Sequence, residues 1–97
     1  MDADKIPSWE ELWKEEDGVM YAIQNINTGK FVYGTDYRFC PPHQRTSKSE
    51  MLTYSTLAEV AHAFWIKRKC GKDYRIVKLK KPKVEKTFDY YETKKFI

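Results

Sequence analysis

The sequence predicts an α+β domain: a small antiparallel sheet of three to five strands packed on one main helix, with a short N-terminal helix, in the order α-β-β-β-α-β. Three observations predict it. A three-residue turn signal, Asn27-Thr28-Gly29, separates two runs of strand-forming residues. A capping box, Thr56 with Glu59, opens a stretch in which Leu57, Val60, Ala61, Phe64 and Trp65 recur at i, i+3, i+4, i+7, i+8 spacing. An alternating run, Tyr74 to Lys80, follows and stops before Pro82.

Taken in order, Ser8 with Glu11 is a first capping box, and Trp9, Leu12 and Trp13 fall on one narrow face, predicting an amphipathic helix over 9–17 that stops at Gly18. So short a helix does not stand alone in water, so its tryptophans are expected to dock on the body. The next element is a β-hairpin. Tyr21 and Ile23 share a face of its first strand, Phe31 and Tyr33 a face of its second, and Gly34 marks a bulge or a strand end. Residues 35–49 read as a long loop because Pro41-Pro42 suits neither a helix interior nor a central strand. Met51 to Tyr54 is the expected third strand. The main helix runs from Thr56 with Lys67, Arg68 and Lys69 in its last turn and Gly71 beyond its end, where a left-handed glycine would close it. Tyr74 to Lys80 is the fourth strand, and the alternation Val84, Lys86, Phe88, Tyr90 suggests a last edge strand.

Composition divides the chain in two. Residues 1–18 carry seven acids and two bases, whereas residues 19–97 carry sixteen bases and seven acids. The division is an acidic leader, 1–18, ahead of a single basic domain, 19–97. Lys67 to Lys83 alone holds nine bases and one acid, so an anionic partner is expected. At 15% aromatic, the core should be built around rings. No apolar run approaches the roughly 18–20 residues of a membrane span. The acidic N-terminus lacks a secretory h-region, and Cys40 and Cys70 read as free thiols, so a cytoplasmic setting is expected.

Catalysis and metal chemistry find little support. Cys40-Pro-Pro-His43 has a C-x2-H spacing, but His62 and Cys70, eight residues apart on the main helix, do not converge as a second pair of zinc ligands would. Two histidines leave little general-base capacity, and Thr28-Gly29-Lys30 lacks the upstream glycine and following helix of a phosphate loop. The expectation is a protein that is not an enzyme and uses neither cofactor nor metal. Binding is better supported. The long loop interleaves Tyr37, Phe39 and His43 with Arg38, Arg45 and Lys48, a pattern in which rings stack on bases and cations meet phosphates. Lys67, Arg68, Lys69, Lys72, Arg75, Lys78 and Lys80 extend that basic character along the helix end and the fourth strand. The alternative is that these lysines solvate a face and guard an edge. In the leader, Trp9, Glu10 and Trp13 are the candidate docking residues, with packing on the core, shielding of the basic body and imitation of a phosphate line as the three readings.

Four stretches carry a resemblance: Tyr21 to Asp36 (YAIQNINTGKFVYGTD), Gln44 to Ser47, Leu52 to Ala61 and Cys70 to Val77. Across residues 20–80 the chain resembles small proteins of phages and prophages of Gram-positive bacteria. The resemblance implies a non-enzymatic, anti-CRISPR-like inhibitor of bacterial defence in the host cytoplasm, binding a host effector or its RNA or DNA, as a monomer or homodimer and away from membranes. The basic body departs from the acidic composition usual among such inhibitors. A nucleotide-signal sponge built on Tyr37, Arg38, Phe39 and Arg45, and a general nucleic-acid-binding module, are the alternatives. In topology, the Tyr54 to Phe64 passage is similar to the small hybrid-binding domain at the front of some ribonucleases H, where an aromatic–Thr phrase also leads into a helix.

Overall fold

The computed structural model describes residues 19–80 and 84–97; the expected helix over 9–17 lies outside the described residues. The described elements are β1 (Val19–Asn25), β2 (Phe31–Asp36), β3 (His43–Ser47), α1 (Leu57–His62, continued by a π-helical turn, Ala63–Lys67), β4 (Tyr74–Lys80), β5 (Val84–Phe88) and α2 (Tyr90–Thr93, continued by a 3-10 turn, Lys94–Phe96). All five strands form one antiparallel sheet in the order β3-β2-β1-β4-β5. This corrects the expected architecture. Two short helical units, 57–67 and 90–96, accompany the sheet in place of one main helix, and the described order is β-β-β-α-β-β-α.

The hairpin turn forms as its residues dictate. The Asn25 side chain accepts the N–H groups of Asn27 and Thr28 at 2.9 and 3.0 Å, and Gly29 takes a φ of 75° that a side chain disfavours. The two strands then part. Gln24 pairs with Phe31, but Tyr21 exchanges backbone hydrogen bonds with Tyr54, and the Leu52 N–H donates to the Val32 carbonyl at 3.0 Å. The stretch 51–54, expected as the third strand, is thus a strip between the splayed ends of β1 and β2. The third strand is His43–Ser47, inside the expected loop. It pairs with β2 as an edge strand, where one ladder partner suffices and polar side chains are tolerated. The β2–β3 register shifts between Val32 and Gly34, the irregularity expected at that glycine.

α1 starts where its cap predicts: the Thr56 hydroxyl accepts the Glu59 N–H at 3.1 Å, and Ser55 donates to the Glu59 carboxylate at 3.2 Å. Its end differs from expectation. The Arg68 N–H reaches back five residues to the Ala63 carbonyl and the Cys70 N–H six residues to Phe64, both at 2.8 Å. This is a glycine-type closure widened by one residue, and the left-handed position is Lys69, at φ 50°, not Gly71. On the helix-bearing face of the sheet, Ile23, Val32, Ile76 and Phe88 pack with Val60, Ala61, Phe64 and Cys70, ringed by Tyr21, Tyr54, Leu57, Trp65, Tyr74 and Tyr90. Each fully buried large side chain, Phe64 foremost, contributes about 1.5–3 kcal/mol of transfer free energy. α2 closes this layer: the buried Thr93 hydroxyl accepts the Trp65 indole N–H at 3.0 Å and donates to the Tyr90 carbonyl.

Candidate nucleic-acid interface

The loop 37–42 leaves the sheet at Asp36 and returns at His43. Arg38 folds back on Asp36: its backbone N–H, Nε and one terminal nitrogen donate to the carboxylate at 2.7–3.2 Å. The Arg38 side-chain bonds, then its backbone N–H, hold the Asp36 carboxyl well below the usual carboxylate range, with Arg45 at 4.0 Å adding to the effect. Two arginines sharing one carboxylate leave a net positive charge on an exposed edge. The Phe39 and His43 rings are stacked, with centroids 4.0 Å apart and planes 3° from parallel, and both residues are exposed. The Cys40–Pro41 peptide between them is cis.

Side chains clamp this loop onto the carbonyl end of the helix, where backbone acceptors lack helical partners. The Tyr37 hydroxyl donates to the Lys67 carbonyl and the Gln44 Nε2 to the Arg68 carbonyl, each at 2.7 Å. A cycle completes the second clamp. Arg68 donates to the Thr35 hydroxyl at 2.8 Å, Thr35 to the Gln44 Oε1 at 2.6 Å, and Gln44 back to Arg68; Arg68 Nε also reaches the Tyr54 hydroxyl. Between loop and helix end lies an open groove of about 440 Å³. Pro41, Pro42, His43 and Gln44 form one wall, and Lys69, Gly71, Asp73 and Tyr74 the other. A neighbouring recess, lined by Tyr37, Phe39, Cys40, Pro41, Pro42 and Lys69, adjoins it. Lys69 lines both.

The structure brings together Tyr37, Phe39, His43 and Lys69 from the sequence-predicted residues. Arg38 and Arg45 stand at the loop's base on Asp36. The others disperse. Lys48 is exposed beyond β3, and Lys67 lines a separate hollow with Tyr54, Glu59 and His62. Arg68 is occupied inside the clamp. The Lys72 ammonium lies 5.7 Å from the Tyr91 ring centroid, and that tyrosine raises its pKa. Arg75 donates to Gln24 at 2.9 Å, Lys78 stands 3.6 Å from Glu85, and Lys80 is exposed at the end of β4. Trp9, Glu10 and Trp13 lie outside the described residues. The basic run 67–83 is therefore not one surface.

Sequence reasoning missed Gln44, Asp73 and Tyr74 as groove walls; nothing in their spacing brings β3 and the α1–β4 turn together. Among the described residues no cluster of three or more His, Cys, Asp or Glu is placed to hold a metal ion, and no helix is long and apolar enough to cross a membrane. No family model matches the chain, and neither a curated protein nor a solved structure matches it.

Proposed function

We propose that this protein is a non-enzymatic binding module that takes a single-stranded nucleic acid across the 37–43 loop and into the groove beside Lys69. The observation that carries the reading is the exposed Phe39–His43 stack standing over a groove with a cation on its far wall. A base stacks on the outer ring face, the adjoining phosphates meet Lys69 and the Arg38–Arg45 edge, and Asp73 accepts from an exocyclic amine. No bond is made or broken. In the setting that the phage resemblance implies, the strand belongs to a host defence effector, and the protein inhibits by occupying it.

The test is fluorescence anisotropy with labelled RNA and DNA oligonucleotides, single- and double-stranded, across a salt series. Single strands should bind with a steep salt dependence, and Phe39→Ala should weaken them about 5- to 150-fold, the equivalent of one stacked base. Absence of binding at about 50 mM salt, or binding indifferent to Phe39→Ala, refutes the proposal. Saturation by a mononucleotide with the same Phe39 dependence would replace it with the nucleotide-sponge reading.

A further inference from the structure

The groove beside Lys69 holds a charge that a phosphate-binding cleft does not call for. Among its described lining residues Asp73 is the one acid, and it shares a wall with Lys69. A carboxylate repels a sugar–phosphate backbone, so its use there lies with a ligand group that donates. Folding leaves the side chain open for that use. The Asp73 backbone carbonyl takes the Ile26 N–H at 2.8 Å and so ties the α1–β4 turn to the hairpin. Among the described residues, its carboxylate meets only the Asn27 Nδ2, at 3.5 Å, the outer limit of a hydrogen bond, and no ion pair reaches it. Gln44, on the facing wall, is spent: its Oε1 accepts from Thr35 and its Nε2 donates to the Arg68 carbonyl. The amide that would pair with adenine is therefore engaged in the clamp. That wall otherwise presents Pro41, Pro42 and the His43 ring, surfaces against which a base can lie. At about 440 Å³ the groove has the size of a small-ligand site.

We infer that the groove selects guanine, with the Asp73 carboxylate accepting the N1–H and the N2 amine of one base through its two oxygens. The inference rests on the single-strand reading above and names the base that such a strand must offer. The edges of the four bases decide it. Guanine alone sets two N–H donors side by side, the pattern that a two-oxygen acceptor meets bidentately. Adenine and cytosine offer one amine beside a bare ring nitrogen, whose lone pair faces the second carboxylate oxygen. Uracil and thymine offer one ring N–H between two carbonyl oxygens, and both of these repel a carboxylate. Lys69 remains with the phosphate next to the selected base, and its charge offsets the repulsion between that phosphate and Asp73.

The test is fluorescence anisotropy on the full chain with labelled oligouridylates of about eight nucleotides, each carrying guanine, hypoxanthine, adenine or cytosine at one central position. The guanine strand should bind about 5- to 150-fold tighter than the adenine and cytosine strands, the worth of one bidentate pair. Hypoxanthine keeps the N1–H but lacks the N2 amine, and should lose most of that gain. Asp73→Asn should bring the guanine strand down to the level of the others, while plain oligouridylate binds as well as before or better, a repelling charge having gone. Equal binding of all four strands, a preference for adenine or cytosine, or a guanine preference that survives hypoxanthine or Asp73→Asn would overturn the inference. Each of those results leaves Phe39-dependent binding, and with it the single-strand reading, in place. Failure of that reading shows differently, as no binding of any strand at about 50 mM salt, and takes the inference with it. Should Asp73→Asn not fold, the hypoxanthine strand decides alone.

Discussion

Replacing Lys69 by glycine should raise stability and lower affinity in one step. Lys69 closes α1 at φ 50°, a conformation that costs a residue with a Cβ about 1–2 kcal/mol and glycine almost nothing. Glycine returns part of that gain, roughly 0.5–1 kcal/mol, through the greater freedom of its unfolded chain. The bonds that define the closure, Arg68 N–H to Ala63 and Cys70 N–H to Phe64, are backbone bonds and survive the substitution. The net expectation is a gain of about 0.5–1 kcal/mol, or roughly 2–8 °C in melting temperature for a domain of this size. Binding should move the other way. Loss of one phosphate contact to a single strand reduces the slope of log K against log salt by about 0.7. Urea melts followed by circular dichroism give the first quantity, and anisotropy across a salt series gives the second. A drop in stability of 1 kcal/mol or more would show that the lysine stem is structural and that the strain argument is wrong. An unchanged salt slope would remove Lys69 from the interface.

Other consequences can be checked with the same preparations. Gln44→Ala breaks two links of the clamp, leaving the Arg68 carbonyl and the Thr35 hydroxyl short of a partner, and should cost about 2 kcal/mol. In a double-mutant cycle with Thr35→Val the two effects should fall short of additivity by 0.5 kcal/mol or more, roughly; strict additivity would dissolve the cycle into independent contacts. Cys40 is exposed and Cys70 is buried, with its thiol pushed up to about 12 by burial, so one thiol per chain should react with an aromatic disulfide reagent at pH 8 and the second only on unfolding. Above pH 9 the unfolded chain ionises Cys70 before the folded one does, so stability should decline as pH rises toward 12. Asp36 behaves oppositely: its folded carboxyl ionises below the unfolded one, so its contribution is full above about pH 4 and is lost on acidification. Asp36→Asn should flatten that part of the acid-unfolding profile, and an unaltered profile would show that the Arg38 fork contributes nothing to folding.

What was legible in the sequence was whatever local chemistry determines. The turn at 27–29, the Thr56 cap and the strand over Tyr74–Lys80 each follow from a few adjacent residues. β3 was hidden because its identity is positional: His43–Ser47 has no apolar alternation, and only its seat at the sheet edge makes it a strand. Met51–Tyr54 has strand-like residues but is diverted into the split between β1 and β2. The tail forms the expected edge strand over Val84–Phe88, but not as far as Tyr90. The alternation through Tyr90 outweighed a cap that was present all along, for the Asp89 carboxylate accepts the Glu92 N–H at 2.8 Å and turns the chain into α2. At the site, the rings and cations of the loop were legible by composition, but not which cations remain near them. Arg68 and Arg75 look alike in a charge count, yet one ties the clamp together and the other serves Gln24 on the second face.

The splitting of the first hairpin has a consequence for how this chain acquires its shape. β1 has one register partner in its sequence neighbour β2 but seven in β4, from Val19 with Lys80 to Asn25 with Tyr74. The spine of the molecule is thus tied by two strands with β2, β3 and α1 between them in the chain, and loop closure over that span precedes most of its reward. A nascent chain halted before Tyr74 has made the ring-bearing loop and both partners of each clamp bond, but lacks the strand that backs β1 along its whole length. The central ladder cannot zip until Tyr74–Lys80 has been made, which puts the formation of the sheet's spine after that of every element before it.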